Sequence, residues 1–342
     1  MRLLLVGFGT VGQGLAELLL DKKDYLAKTY GFKPVVVGIA DELKGSAFQP
    51  KGIDLREALA LTRAGTSLCE MKDSRYDGDA LRMIDTAEAE VMLEATYTNI
   101  KTAEPATSHI KAALAKGMHV VTTNKGPLAL NYRDLHKIAQ KKGVQLLYEG
   151  TVMSGTPLLN LIRETLAGSS VYEIRGILNG TTNYILTRME EGLPYAEALK
   201  KAQELGYAEA VPDADVLGWD ALAKVTILAN VVFGAVAKPF DYPCAGITGI
   251  TAVAIADAKS RGKRFKLIGK VWREGGYVKA SVGPEEVDIT HPLAGVMGAT
   301  NAMTIVTDTL GEVTIVGPGA GKKETGFSML NDLIHIAVHS KK

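Results

Sequence analysis

Apolar runs alternate with amphipathic stretches over the first 150 positions of the chain. The short apolar run LLLV meets a glycine-rich turn, and the amphipathic stretch VGQGLAELLL follows it. PVVVGIA predicts a second buried strand, and two more strands are predicted at 91–96 and 118–125, with a helix between them from about 105 to 116. Strands that alternate with helices in this way are typical of an α/β fold with a doubly wound parallel sheet.

The pattern changes after position 150. GILNGTTNYILTRME predicts a strand, a turn and a helix, and PYAEALKKAQELGY predicts a helix with one polar face. Strands then dominate, because FKLIGKVWRE and YVKASVG flank Gly275 and Gly276 as the arms of a hairpin would, and AMTIVTD and EVTIVG follow. We therefore predict a dinucleotide-binding domain over 1–150, to which 316–342 returns, and a second α+β domain for substrate binding and dimerisation over 151–315.

The first turn carries the spacing G-x-G-x-x-G at Gly7, Gly9 and Gly12, directly between a predicted strand and a predicted helix. In a Rossmann-type sheet these glycines allow a tight turn, a close approach of the backbone to a pyrophosphate, and packing of the helix on the strand. The sequence thus predicts a dinucleotide site whose cofactor-binding residues are Gly7, Phe8, Gly9, Thr10, Val11 and Gly12.

Three further positions are predicted to meet the cofactor from the ends of strands. Asp41 ends the second strand, where a carboxylate binds the hydroxyls of the adenosine ribose, and this position favours NAD. Lys44, three residues later, is placed to pair with the 2′-phosphate of NADP, so we predict that both cofactors are used. Thr96 and Lys125 end the next two predicted strands, and ligands bind beyond the carboxyl ends of such strands.

The segment DADVLGWDALAK at 213–224 places three carboxylates and a lysine among small and apolar residues. Asp220 and Lys224 lie four apart on a predicted helix and therefore face the same side. An exposed ion pair of this kind contributes little to stability. The rest of this helix is too apolar for an idle charged face, and Asp213 and Asp215 lie just before it, so this segment alone leaves both a functional pair and an ordinary ion pair open.

Composition excludes several classes of function. The 342 residues include 39 Lys and Arg against 38 Asp and Glu, so charge alone predicts neither a nucleic-acid nor an anionic-membrane partner. Cys69 and Cys244 are the two cysteines, which suits a reducing cytoplasm and offers no disulfide framework. The first apolar run is too short for a signal peptide, and no apolar stretch reaches membrane-spanning length. His335 and His339, four apart near the end, are expected to be ordinary helix residues without a third metal ligand.

Taken together, these stretches make the sequence resemble homoserine dehydrogenase over nearly its full length. The matching segments are GFGTVG, VVTTNKGPLA, YEGTVMSGTP, ILNGTTNYI, LGYAEAVPDADVLGWDALAK, RFKLIGKV with HPLAG, and GPGAG with Thr325. The segment from Leu205 to Lys224 is the most specific of them. Val211 departs from the family, which usually has Asp or Asn before the proline, and this departure concerns the loop more than the chemistry.

The resemblance implies the reduction of aspartate 4-semialdehyde to homoserine with NADH or NADPH, in threonine, methionine and isoleucine biosynthesis. It implies that Lys224 and Lys125 are catalytic, with Asp220 beside Lys224, and that both lysines converge on the reacting oxygen. It further implies that the amino-acid site is lined by Glu209, Asp215, Gly180 and Thr181. Gly321 is expected near the cofactor. The backbone carbonyls expected to hold a structural Na⁺ or K⁺ are those of Glu149, Val152, Ser154 and Thr156.

Two alternatives remain open at this stage. A phosphorylating semialdehyde dehydrogenase would use the same substrate but needs a nucleophilic cysteine, and neither cysteine has a base or cation beside it in sequence. A catalytically inactive nucleotide-binding regulator would not need the lysines and carboxylates. The resemblance also implies a homodimer built on the second domain. Because the sequence ends at Lys342, neither a regulatory ACT module nor a fused aspartate kinase is expected.

Overall fold

The computed structural model describes residues 1–76 and 78–340, which form two compact units. The first consists of Met1–Gly155 together with the C-terminal segment from Gly321, and the second is Thr156–Ala320. The sequence-based boundaries were drawn at 150 and 315. In the structure the first unit extends to Gly155 instead of 150. The last strand of the second unit continues to Pro318, so the second unit ends at Ala320 instead of 315.

The first unit is built on a seven-stranded sheet. Five strands at its centre and one side are parallel, as predicted, and two short strands at the other edge are antiparallel. The strands are β1 (Arg2–Val6), β2 (Val35–Asp41), β3 (Gly45–Phe48), β4 (Arg75–Tyr76), β5 (Val91–Glu94), β6 (His119–Thr122) and β7 (Leu146–Leu147), in the order β4-β3-β2-β1-β5-β6-β7.

Helices pack against this sheet and bury its centre. They are α1 (Thr10–Asp21), α2 (Lys23–Tyr30), α3 (Leu55–Arg63), α4 (Ala80–Thr86), α5 (Ala106–Lys116) and α6 (Lys125–Lys142). Leu3, Leu4 and Leu5 are at most 1% exposed. A strand buried on both faces is expected to be apolar throughout, which explains why LLLV does not alternate with polar residues.

The structure corrects two predicted strand ends. β5 ends at Glu94 rather than at position 96, and β6 ends at Thr122 rather than at Lys125. The side chain of Asn124 accepts a hydrogen bond from the amide of Gly126 and caps α6, so Lys125 is the first residue of a helix.

The second unit contains a five-stranded antiparallel sheet in the order β10-β9-β8-β11-β12. Helices α7, α10 and α11 pack against it. The hairpin between β9 and β10 is confirmed, with Gly275 and Gly276 both at positive φ in its turn. The elements are β8 (Val171–Ile177), α7 (Gly180–Glu190), α8 (Tyr195–Glu204), α9 (Asp213–Val216), α10 (Trp219–Val231), α11 (Ala252–Ser260), β9 (Lys263–Glu274), β10 (Tyr277–Asp288), β11 (Thr300–Thr307) and β12 (Gly311–Pro318).

The final helix, α12 (Lys322–His339), belongs to the first unit and packs along α1. Glycines allow this close approach, because a Cβ on Gly14 would lie 2.2 Å from the carbonyl oxygen of Lys322, and a Cβ on Gly326 would lie 2.6 Å from the amide of Leu15. Met329, Leu330, Leu333 and Ile336 join the core of the first unit. The two ends of the chain therefore share one hydrophobic core.

Across the described ranges, no helix combines the length and the apolar character that a membrane crossing requires.

Candidate active site

The Asp220–Lys224 pair lies inside the second unit and not on its surface. Lys224 is 8% exposed, and its Nζ donates to Asp220 Oδ2 and to the carbonyl oxygen of Leu178, each at 2.7 Å. An ammonium has three N–H donors, and these acceptors take two of them. Such a desolvated pair contributes little to stability compared with well-packed apolar residues. Its burial therefore favours a functional role over a structural one.

Asn179 connects this pair to a second carboxylate. Its Nδ2 donates to Asp215 Oδ1 at 2.6 Å and to Asp220 Oδ2 at 3.0 Å. Its Oδ1 accepts from the amide of Thr182 at 2.9 Å and caps α7. Sequence reasoning missed this residue. An asparagine between a strand and a helix is a signal for a helix cap, but the bridge to the carboxylates depends on residues about 40 positions away.

Asp215 is partly buried beside Asn179 and Asp220. Burial raises the pKa of this carboxyl, the hydrogen bond from Asn179 opposes that rise, and the nearby charge of Asp220 adds to it. The charge of Lys224 also opposes the rise, so the raised pKa reflects desolvation of the carboxylate. A cationic group that binds beside Asp215 would favour its ionised form.

The other predicted substrate residues lie around the same network, with one exception. The hydroxyl of Thr181 donates to the carbonyl oxygen of Tyr207 at 2.5 Å. A Cβ on Gly180 would lie 2.5 Å from the carbonyl oxygen of Ala299, so only glycine fits there. Glu209 is exposed and stands apart from the network, and its carbonyl oxygen accepts from Gln203 Nε2 at 3.1 Å.

A cleft of about 1300 Å³ lies within the first unit, at the carboxyl ends of β1 and β2. A Cβ on Gly7 would lie 2.4 Å from the backbone of Ala95, and a Cβ on Gly12 would lie 2.4 Å from the carbonyl oxygen of Gly7. A Cβ on Gly9, which lines the cleft, would meet nothing within 4 Å. Two glycines thus pack the turn, and the third leaves room for a ligand. The cleft is also lined by the predicted cofactor residues Thr10, Val11, Asp41 and Thr96.

The start of α1 is suited to a phosphate group. Gly9 occupies its N-cap position, and in the described part of the chain no side chain caps it. The first backbone N–H groups of a helix and its dipole together favour an anion. The cleft therefore fits the pyrophosphate of a dinucleotide.

Asp41 joins the glycine turn to the loop after β2. One carboxylate oxygen accepts from the amide of Phe8 at 2.6 Å, and the other accepts from the amides of Leu43 and Lys44 at 3.0 and 2.9 Å. The side chain also lines the cleft. Asp41 is therefore placed to contact a ligand while it fixes the glycine turn.

The predicted cation residues lie close together in sequence, within 149–156. Glu149, Val152 and Ser154 belong to the first unit and Thr156 to the second. Met153 and Ser154 have φ values of 61° and 52°, a conformation that non-glycine residues adopt rarely. Such conformations persist where the surroundings enforce them and are frequent at functional sites.

Gly321 occupies the N-cap position of α12, with a φ of 138°. In the first turn of the same helix, the hydroxyl group of Thr325 is hydrogen-bonded to the hydroxyl group of Ser154 at 2.7 Å.

Cys244 and the pair His335 and His339 fit ordinary structural residues. Burial raises the pKa of the Cys244 thiol, which opposes formation of a nucleophilic thiolate. The rings of His335 and His339 stack at 4.2 Å. Within the described residues no group of three or more His, Cys, Asp or Glu side chains could hold a metal ion.

A glycine turn under a dinucleotide-sized cleft and a buried lysine held by a carboxylate define an NAD(P)-dependent oxidoreductase. The family model "Homoserine dehydrogenase, NAD binding domain" matches residues 7–149, and the model "Homoserine dehydrogenase" matches residues 157–334. The chain belongs to the homoserine dehydrogenase family, which confirms the resemblance identified in the sequence.

Individual relatives are similar to this protein over nearly all of its length. An NAD(+)-dependent homoserine dehydrogenase of Pseudomonas canavaninivorans is 43% identical over 98% of this chain and 96% of its own length. A homoserine dehydrogenase of Methanocaldococcus jannaschii is 43% identical over 100% of both chains. A hyperthermophilic archaeal homoserine dehydrogenase solved with NADPH has a TM-score of 0.84 at 30% identity, over 100% of this chain and 98% of that one. The predicted fold class is confirmed as well.

Proposed function

We propose that this protein catalyses the reversible reduction of L-aspartate 4-semialdehyde to L-homoserine, with Lys224 as the group that stabilises and protonates the reacting oxygen. The observation that carries this proposal is the partly buried network of Lys224, Asp220, Asn179 and Asp215. It places one ammonium and two carboxylates together in the second unit. Family membership supports the same reaction.

The substrate is a zwitterion with an aldehyde at its far end, and the network offers complementary charges. Asp215, whose ionised form is disfavoured by burial, accepts the substrate ammonium, and Glu209 on the exposed loop contributes to its binding. Gly180 and Thr181 at the start of α7 line the amino-acid site. These assignments explain why carboxylates accumulate beside a catalytic lysine.

Negative charge develops on the aldehyde oxygen during reduction, and Lys224 is suited to stabilise it. NAD(P)H, when bound in the cleft of the first unit, supplies the hydride. The third N–H of Lys224 donates to the oxygen and delivers the proton, while Asp220 and the Leu178 carbonyl hold the ammonium in place. Lys125, at the start of α6, is proposed as the second lysine that acts on this oxygen.

A spectrophotometric assay tests the proposal. Purified protein is incubated with L-homoserine and either NAD⁺ or NADP⁺, and the absorbance of the reduced nicotinamide is followed. We expect turnover with homoserine and with both cofactors. A phosphorylating semialdehyde dehydrogenase would instead require aspartate semialdehyde and phosphate, and an inactive regulator would bind cofactor without turnover.

Cofactor preference is expected to depend on Asp41, because a carboxylate repels a 2′-phosphate and accepts from free ribose hydroxyls. We expect Asp41→Ser to shift the ratio of kcat/KM values toward NADP⁺ by about tenfold, the effect of removing one repulsive charge near the ligand. Since Asp41 also holds the glycine turn, the kcat/KM for NAD⁺ should fall. The assay is repeated on the variant with both cofactors.

Asp54→Ser is the matched control for this experiment. Asp54 caps α3 in the same unit, and serine caps helices about as well as aspartate. Its cofactor ratio should remain that of the unaltered protein. An unchanged ratio in Asp41→Ser would show that Asp41 does not bind the ribose.

We also propose that backbone carbonyls of Glu149, Val152, Ser154 and Thr156 hold a structural Na⁺ or K⁺. The left-handed turn at Met153 and Ser154 supports this assignment, since a strained turn of non-glycine residues requires a compensating interaction. A cytoplasmic location is proposed because the sequence contains two cysteines far apart, which suits a reducing compartment.

A homodimer built on the second unit is proposed from its sheet edge. β12 is the edge strand of the antiparallel sheet, and Val316 on it is 52% exposed. An open edge pairs readily with another chain.

Light scattering at micromolar concentration should give about twice the 36.5 kDa chain mass. Val316→Lys should lower the measured mass, because a charge on the edge strand disfavours pairing. Val253→Lys, at an exposed position on α11, is the control, and a monomeric unaltered protein would refute the proposal.

A further inference from the structure

A buried carboxylate at the carboxyl end of β5 has no part in the chemistry described so far. Glu94 is 0% exposed. Its Oε1 accepts from the amide of Thr96 at 3.1 Å and from the hydroxyl of Thr96, and the hydroxyl of Thr122 is shared between its Oε2 and its backbone carbonyl oxygen, each at 3.1 Å. Burial of a charge is costly unless hydrogen bonds compensate for it. These donors make Glu94 a strong acceptor that joins the ends of β5 and β6.

Thr122 continues this connection toward α6. Its Oγ1 accepts from the amide of Asn124 at 3.0 Å. The side chain of Asn124 donates to the carbonyl oxygens of Thr96 and Tyr97, at 3.3 and 3.1 Å, and accepts from the amide of Gly126 at 3.2 Å. A continuous chain of hydrogen bonds therefore runs from Glu94 through Thr122 and Asn124 to the first turn of α6.

Lys125 lies between Asn124 and Gly126, the two residues that this series of hydrogen bonds fixes. Asn124 on one side is fixed through both its backbone amide and its side chain, and Gly126 on the other side is fixed through its amide. A Cβ on Gly126 would lie 2.6 Å from the carbonyl oxygen of Asn99, so the backbone there is closely packed as well. The backbone on both sides of Lys125 is thereby fixed.

We propose that Glu94 and Thr122 are positioning residues of the dehydrogenase reaction. Through Asn124 they fix the start of α6 and thus Lys125, and Glu94 separately fixes Thr96, which lines the cofactor cleft. The inference rests on the proposed role of Lys125. It differs from a purely structural role, in which the same hydrogen bonds would contribute only to the stability of the sheet.

Substitutions at Thr122 separate the two roles. Thr122→Val keeps the shape and removes the hydroxyl, so kcat for homoserine oxidation should fall about 10- to 100-fold, the range that misplacement of a catalytic group produces. The KM for NAD⁺ should change little. Thr122→Ser restores the hydroxyl and should restore kcat. Glu94→Gln, which also disturbs Thr96, should both lower kcat and raise the KM for NAD⁺.

Thr107→Val is the matched control for stability. Thr107 is a buried threonine in α5 of the same unit, and its hydroxyl donates to the carbonyl oxygen of Ala103. This variant should lower the melting temperature about as much as Thr122→Val but leave kcat unchanged. Equal retention of kcat in both valine variants would overturn the inference.

A double-mutant cycle with Lys125→Ala decides whether Thr122 acts through Lys125. If it does, Thr122→Val should change the residual kcat of Lys125→Ala by less than about twofold, because the group that it positions is already gone. Multiplicative effects would overturn the inference and leave the role of Lys125 intact. A Lys125→Ala variant with full kcat would instead refute the proposed role of Lys125 itself.

Discussion

Replacement of Lys224 with alanine is expected to lower kcat by about 10²–10⁴-fold, the usual effect of losing a positioned general acid. The ammonium of Lys224 has one N–H left for a substrate after its bonds to Asp220 and Leu178. Without it, the charge that develops on the aldehyde oxygen has no cation from the second unit to stabilise it. Steady-state kinetics with saturating homoserine and cofactor measure this loss directly.

The alternative is that Lys224 and Asp220 form only a structural pair. Lys224→Met would then lower the melting temperature and leave kcat nearly intact. Lys266→Met provides the control, because Lys266 is 1% exposed in the same unit and donates to Asn183 Oδ1 and the Val296 carbonyl. Burial lowers the pKa of Lys266 to about 8. We expect both methionine variants to lose stability and only Lys224→Met to lose kcat.

On the proposed role of Lys125, Lys125→Ala should lower kcat over a similar range of about 10²–10⁴-fold, because the reacting oxygen would lose its second cation. Lys125 begins α6 beside the capping residue Asn124, and alanine is a good helix former, so the fold should be retained. Kinetics and circular dichroism on one preparation measure activity and folding together.

Lys23→Ala is the corresponding control, because Lys23 is also the first residue of a helix in the first unit. Its kcat should equal that of the unaltered protein. If Lys125→Ala raised only the KM for the cofactor, Lys125 would be a binding residue and not a catalytic one.

The parts of the candidate site that depend on local geometry were predictable from the sequence. Asp220 and Lys224 meet because residues four apart on a helix share a face, and the helical pattern around them is strong. The glycine roles in the first turn follow from spacing in the same way. Asp41 also ends its strand where the pattern placed it.

Other parts depend on contacts between distant segments and were missed. Asn179 bridges two carboxylates that lie 36 and 41 positions later. Glu94 was predicted only as part of a strand, without a role of its own. Lys125 was placed at a strand end because the run of β-branched residues continues to Thr123, while the cap at Asn124 that starts α6 is a weaker signal. The antiparallel strands β3 and β4 are too short for their pairing to be predicted from pattern alone.

The return of α12 to α1 has a consequence for biosynthesis. A ribosome synthesises the chain from its N-terminus, and domains generally fold as they emerge. The sheet of the first unit is translated early, but the core beneath α1 lacks Met329, Leu330, Leu333 and Ile336 until the last helix has left the exit tunnel. The nascent first unit therefore exposes an apolar groove throughout the translation of the second, and this interval is when we expect the protein to depend most on chaperones.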